Sequence, residues 1–358
     1  MTLDRLRAWM EAREAGAAVL TDPVSIAYLT GFASNPHERL MALVVRGPRA
    51  VLVVPSLEAD SAAAAASGVT VSAWRDGEDA WAPVAAALDG AGGTLAVEMD
   101  HLSLARWERL RGIAPGARPV DAGAEVRRLR ARKTAAELAR LEEAARLTDA
   151  VTERALEELQ AGRSELEVAA AIDHAIAAAG ARPSFDTIVQ SGPNSAQPHL
   201  RPGDRRLAAG DLVLLDFGAA SGGYRADTTR TLVMGEPDGR QREVHALVLA
   251  AHDAAVAAIR PGATVGGVDE AARAVIRAGG LADAFIHRVG HGLGLEAHED
   301  PSLDPGGDAV LEEGMVVTVE PGVYLAGWGG VRIEDDVVVE AGGARLLTRA
   351  DRALRVAG

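Results

Sequence analysis

Five side chains of metal-ligand type stand where the backbone around them is tightly specified. Asp216 lies near the end of an apolar run, LVLLDFG, and Asp227 follows in YRADTTRT. His291 sits in VGHGLG, Glu320 closes VVTVEPG, and Glu334 lies in GVRIEDD. A carboxylate at the end of a buried strand is costly unless it is paired or bound to a cation. Gly222 and Gly223 lie between the two aspartates and fit the turn of a hairpin that brings both carboxylates together. Glycines on both sides of His291 let the backbone approach its neighbours closely. Several carboxylates with one imidazole suit a pair of divalent cations roughly 3.5–4 Å apart, which must be neutralised and partly bridged. An oxygen-rich set of that kind fits Mn²⁺, with Co²⁺ or Zn²⁺ as alternatives. Such a pair lowers the pKa of a shared water and supplies hydroxide near neutral pH.

Each residue alone has an ordinary reading. Asp216 and Asp227 could be turn or cap residues, and Glu320 before Pro321-Gly322 could mark a turn. Glu334 could be a surface strand residue, with Asp335 and Asp336 equally plain. His291 points further, because glycine-rich loops often carry function. His287 and His291 form H-x-x-x-H, but the glutamate of a zincin motif is missing, which excludes that class. His199 in QPHLRP and His298 in LEAHED read as surface loop residues when taken singly.

The five segments together, in this order, resemble the metallopeptidase family that includes methionine aminopeptidase, aminopeptidase P and prolidase. The resemblance implies an α+β chain. A pita-bread catalytic domain would occupy residues 127–358, preceded by a smaller α/β creatinase-like N-terminal domain over residues 1–126. It implies two divalent metal ions per chain. Asp216 and Asp227 would hold the first, with Asp227 bridging. His291 and Glu320 would hold the second, and Glu334 would bridge both. Glu320 would also move protons, His199 and His298 would contact the substrate near the scissile bond, His287 would line the pocket, and Arg332 would order the site. The implied activity is that of an exopeptidase cutting between an N-terminal residue and a following proline. About 120 residues ahead of the catalytic domain favour this branch over the methionine-specific one, since added length of that order is a domain in itself. The segment Asn35-Pro-His-Glu-Arg39 is similar to a loop of small bacterial prolidases and aminopeptidases P. That implies a homodimer in which His37, Glu38 and Arg39 reach the partner's substrate. The plain alternative is a charged surface turn.

Three rival readings stay open at this point: a methionine aminopeptidase-like exopeptidase, a metal-free creatinase-like hydrolase, and a non-enzymatic binding module of the same fold. Dipeptidase and aminopeptidase are also unresolved. A dipeptidase needs a cation for the substrate's free carboxylate. Arg39, Arg201, Arg225, Arg288 and Arg332 are all candidates.

The elements that must position these residues read as two domains, which the 358 residues and 48% hydrophobic content can support. Short strands are expected at Ala42–Val45, Ala50–Val54 and Leu95–Glu98, and a helix at Ala62–Ala66. Thr134 and Ser164 open helices with capping-box spacing to Glu137 and Glu167. Further helices are expected at Arg240–Ile259 and Val265–Ala278. Strands are expected at Leu212–Phe217, Thr228–Met234, Met315–Val319 and Val331–Val339. Arg127–Lys133 reads as a solvated joint, and no internal repeat is visible. Cysteine is absent, which excludes disulfides and thiolate chemistry. The net charge of −14 and the lack of a basic tail argue against a nucleic-acid partner. No signal peptide or long apolar run is seen, so a cytoplasmic protein without a membrane partner is expected.

Overall fold

A computed structural model describes residues 2–357 and divides the chain into two compact units, with the boundary between Arg130 and Ala131. The first unit alternates helix and strand: α1 (Thr2–Ala12), β1 (Ala15–Leu20), α2 (Pro23–Thr30), β2 (Ala42–Arg46), β3 (Arg49–Pro55), α3 (Ala59–Ala65), β4 (Thr70–Trp74), α4 (Ala82–Leu88), β5 (Thr94–Val97), α5 (Leu104–Ile113), β6 (Arg118–Asp121) and α6 (Gly123–Ala131). The six strands form one sheet in the order β4-β3-β2-β1-β5-β6, antiparallel at β1/β2 and β2/β3 and parallel elsewhere. Both faces are covered. Ala18 and Leu20 of β1 join one apolar cluster, while Ala17 and Val19 join another on the opposite face, as the two-residue period of a strand requires.

The second unit opens with α7 (Ala135–Glu157) and α8 (Glu165–Ala178), each started by a complete capping box, at Thr134/Glu137 and Ser164/Glu167. Then come β7 (Arg182–Pro183), β8 (Ile188–Ser191), β9 (Leu212–Phe217), β10 (Ala219–Ser221), β11 (Tyr224–Arg225) and β12 (Thr228–Met234). A second helix pair follows, α9 (Gly239–Ala258) and α10 (Val265–Ala278), again capped from the side chain, at Asp238 and Thr264. The chain ends with β13 (His291–Gly292), β14 (Glu299–Ser302), β15 (Val316–Val319), β16 (Gly322–Leu325), β17 (Gly329–Arg332), β18 (Asp335–Glu340), β19 (Gly343–Leu346) and β20 (Val356–Ala357). Two larger sheets result, in the orders β20-β12-β9-β8 and β14-β13-β15-β18-β19. Apolar side chains from α9 and α10 pack with those of β15, β17 and β18 in one core. Those of α7 and α8 pack with β9 and β12 in another.

Three expectations need correction. First, the two helix pairs are built alike. Each has a long helix and then a 14-residue helix whose cap residue, Ser164 or Thr264, forms an isolated bridge, to Arg206 or Val310. The repeat leaves only a faint trace in the sequence, with Gly162/Gly262, Val168/Val268, Ile176/Ile276 and Gly180/Gly280 recurring 100 residues apart. Second, Val331–Val339 is not one strand. It breaks at Ile333-Glu334 into β17 and β18, which belong to different sheets. Third, Arg127–Lys133 is not a solvated joint. Helix α6 runs to Ala131, Arg130 is buried, and Lys133 is buried with Nζ 3.3 Å from Glu299. Pairing lets the charge of Lys133, the chain's single lysine, leave water. Among the described residues no helix is long and apolar enough to cross a membrane.

Candidate metal centre

The second unit's strand ends deliver the five ligand-type residues to one place. Strands β9 and β12 pair antiparallel with Asp216 opposite Thr229, so Asp216 near the end of β9 and Asp227 just before β12 come together. The hairpin between them turns at Gly222 and Gly223, whose φ values of 56° and 87° suit a turn that only glycine takes cheaply. Gly218 is required for a different reason: a Cβ there would lie 1.8 Å from the Ala226 carbonyl oxygen. In the second large sheet β15 pairs with β18 and Val319 faces Asp335, so Glu320 and Glu334 flank the same end of that ladder. An isolated bridge between Thr229 and Glu334 joins the two sheets at this point. His291 is brought in by the Glu320 N–H, which donates to the Val289 carbonyl at 2.7 Å. Gly290 passes so close to Thr318 that a Cβ would lie 2.0 Å from its carbonyl oxygen.

All five residues line one cavity of about 620 Å³, together with His199, His287, His298 and Arg332. One side-chain ligand atom from each of Asp227, His291 and Glu334 lies within 4.8 Å of the others. His291 Nε2 is 3.3 Å from Glu320 Oε1, and Arg332 Nη2 donates to Asp216 Oδ2 at 2.5 Å. His291 Nδ1 faces the Gly292 carbonyl at 3.1 Å. A carbonyl can only accept, so Nδ1 carries a proton, and Nε2 is the ring nitrogen presented to the cavity.

The electrostatics are those of a site assembled for cations. Burial, and then the Glu334 and Asp216 carboxylates, hold Asp227 well above the ordinary carboxylate range. Burial with Glu320 and Asp216 does the same to Glu334. Asp216 is raised by burial and Glu320, against the pull of Arg332. Glu320 alone is lowered, to about 2: burial pushes it up, but His291, His287 and Arg332 outweigh that. The buried Asp227 Oδ1 has no hydrogen-bond partner. Converging carboxylates that raise one another, an unpartnered buried oxygen and an inward-facing imidazole nitrogen together fit divalent metal ions.

The histidines differ in setting. His298 packs edge-on against His291, ring centroids 4.1 Å apart, and burial with the neighbouring imidazole lowers its pKa to about 4. His287 Nδ1 donates to the Arg288 carbonyl at 2.7 Å, so its Nε2 accepts from the Tyr324 hydroxyl at 2.9 Å. Tyr324 in turn accepts from Arg332 Nη1, and burial raises its pKa to about 12. His199 is exposed on a loop tied down by Gln190 Nε2, which donates to the Gln197 and Leu200 carbonyls.

Sequence reasoning missed Tyr324, which links Arg332 to His287, and Thr229, whose hydroxyl donates to Glu334 Oε2 at 2.6 Å. The only signal for Thr229 was its place in the threonine-rich run after Asp227. Among the candidate arginines, Arg332 is spent on Asp216, Tyr324 and Thr229, and Arg225 donates to the Ser184 and Leu295 carbonyls. Arg201 is exposed beside Asp186. Arg288 lines the cavity and donates to Ser302 Oγ. His37 and Arg39 belong to the first unit. Arg39 forms a two-point hydrogen bond with Asp76 at 3.0 and 2.9 Å, and His37 has a φ of 54°, a strained value for a non-glycine residue.

Comparison with known proteins agrees with this geometry. Residues 139–341 match the model of metallopeptidase family M24, and residues 2–132 match the creatinase/prolidase N-terminal domain. The Xaa-Pro dipeptidase of Lactobacillus helveticus is 36% identical over 363 residues, covering 99% of each chain. The structure of an Xaa-Pro dipeptidase from Bacillus anthracis superposes with a TM-score of 0.93 at 33% identity, covering 99% of each chain. The prolidase from Pyrococcus furiosus gives a TM-score of 0.89 at 36% identity, over 96% of this chain and 99% of that one. With its α+β pita-bread unit following a creatinase-like domain, the chain belongs to metallopeptidase family M24.

Proposed function

We propose that this chain is a metal-dependent Xaa-Pro dipeptidase. The observation that carries the reading is the convergence of Asp216, Asp227, His291, Glu320 and Glu334 in one cavity, in a chain with Xaa-Pro dipeptidases among its full-length relatives. Asp216, Asp227, His291, Glu320 and Glu334 would hold the ions. The hard carboxylate set favours Mn²⁺, with Co²⁺ or Zn²⁺ as functional substitutes. When bound, the ions supply a water of lowered pKa and a Lewis acid toward the scissile carbonyl.

The protein's own groups do the rest. Glu320, beside His291, takes up a proton and passes it to the departing proline nitrogen. His298, neutral near pH 7 because its pKa is about 4, offers an N–H to the developing oxyanion. His199, on its tethered loop, contacts the substrate from the cavity's exposed side. Arg332 fixes Asp216 and, through Tyr324, the orientation of His287.

Comparing an Xaa-Pro dipeptide, an Xaa-Pro-Yaa tripeptide and a longer peptide tests the specificity. Cleavage confined to the dipeptide is expected. Equal cleavage of all three would make the enzyme an aminopeptidase. A cytoplasmic homodimer belongs to the same proposal, supported by the likeness of the His37–Arg39 loop to those of small bacterial prolidases. Light scattering should give twice the chain mass, and Arg39→Ala should raise KM for the dipeptide. A monomer with wild-type kinetics in that variant would remove the loop from the site.

A further inference from the structure

The five ligand-type residues do not explain a second charged cluster behind them. Arg230, on β12, is almost fully buried and commits its whole guanidinium. Nε donates to the Asp351 carbonyl at 3.1 Å. Nη1 donates to the Glu334 carbonyl at 2.5 Å, the Thr229 carbonyl at 2.9 Å and Thr228 Oγ1 at 3.1 Å. Nη2 donates to Asp335 Oδ1 and the Ala350 carbonyl, both at 2.7 Å. The other Asp335 oxygen lies 3.1 Å from His252 Nε2, and Thr348 Oγ1 donates to Oδ1 at 2.9 Å. The next residue, Asp336, accepts the main-chain N–H of Asp227 at 3.0 Å.

We infer that Arg230, through its grip on Glu334 and Asp335, is a positioning residue that sets the register of the two sheets at the metal centre. The inference rests on the metal-centre reading given above. Successive side chains of a strand point to opposite faces. On β12, Thr229 holds the Glu334 carboxylate from the cavity side, while Arg230 holds the Glu334 peptide from behind. Asp227 and Glu334, whose ligand atoms lie within 4.8 Å of each other, come from different sheets. Each has a backbone group clamped by this cluster, Asp227 by Asp336 and Glu334 by Arg230. A buried ion pair adds little net stability over a well-packed apolar replacement. Fixing the placement of two metal-binding carboxylates is a function that apolar residues could not supply.

The test is metal affinity, read by calorimetric titration of the metal-free protein with Co²⁺ and by the visible spectrum of the Co²⁺ form. Arg230→Lys keeps the charge but loses the planar fork. It is expected to weaken binding about 10–100-fold, as loss of groups that orient metal ligands does, to alter the Co²⁺ spectrum, and to lower kcat more than it raises KM. Val248→Ala, in the apolar core on α9, serves as a control of reduced stability and should leave affinity and spectrum unchanged. Wild-type affinity in Arg230→Lys would overturn the inference, as would an equal loss in Val248→Ala. If Arg230→Lys does not fold, Thr348→Val removes the bond that Thr348 donates to Asp335 and the one it accepts from the Asp336 N–H, and should weaken binding in the same direction, by a few-fold at most; wild-type affinity there overturns the inference as well. Failure of the wild-type chain to bind Co²⁺ would refute the metal centre itself and this inference with it.

Discussion

Glu320 differs from its carboxylate neighbours in being held ionised, by His291 and Arg332, while Asp227 and Glu334 are pushed toward the neutral form by burial and by one another. That contrast suits a group that handles protons beside groups that await cations. Glu320→Gln keeps the shape and removes the charge. Its kcat should fall about 10²–10⁴-fold, while the melting temperature stays within a few degrees of wild type; full turnover would refute the assignment. His298→Ala should lower kcat by about 10²-fold and leave the metal content unchanged, since the imidazole packs beside His291 and is not one of the five ligand positions. Asp216, His291 and Glu320 stood out because each ends an apolar run or sits among glycines, where a charged or imidazole side chain is locally anomalous, whereas Asp227 and Glu334 stood out only through the order of the five segments. Tyr324 was not legible. Its role depends on the β16–β17 hairpin, which sets Gly322 opposite Arg332 and so places a tyrosine two residues on within reach of both Arg332 and His287. Nothing in Gly-Val-Tyr announces that.

At the scale of elements, the site depends on close backbone passages. A Cβ on Gly290 would meet the Thr318 carbonyl oxygen at 2.0 Å and its carbonyl carbon at 2.7 Å. Gly290→Ala therefore forces β15 away from the His291 segment. A loss of about 1–3 kcal/mol or more is expected, with metal affinity falling in parallel, as denaturant melts and metal titration would show. Gly239→Ala, at the start of α9, meets nothing within 4 Å and should preserve both properties. Local signals located most elements well. Leu212–Phe217, Thr228–Met234 and Val265–Ala278 were read with the bounds the structure has, because apolar runs and caps are local properties. The failures are non-local. Ile333-Glu334 interrupts what reads as one strand because β17 and β18 belong to different sheets, and Thr229 bridges to Glu334 at the break. Arg130 and Lys133 looked solvated because the partner of Lys133, Glu299, lies far along the chain.

At the scale of the molecule, the division into two units and the place of the catalytic one were readable from composition, capping boxes and motif order. The matching helix pairs went unread, because the identities that recur 100 residues apart are few and scattered. The global stability also carries a pH signature outside the metal centre. His245, in the α9 core, is held neutral by burial with a folded-state pKa of about 4. The unfolded value is near 6.5, so the unfolded state binds the extra proton first. The contribution is present above about pH 6.5 and is lost as the pH falls toward 4, by up to about 3 kcal/mol. His245→Leu should therefore gain stability relative to wild type between pH 7 and pH 4.5 in urea melts; a constant difference across that range would contradict the placement.

The Asp216–Glu334 constellation is proposed to bind divalent ions that the chain needs to cleave Xaa-Pro peptides. The most direct measurement is hydrolysis of an Xaa-Pro dipeptide by protein stripped of metal and titrated with Mn²⁺. No turnover is expected without metal, with activity rising to saturation at about two ions per chain. Undiminished cleavage by the stripped protein, or none at any metal content, would contradict it.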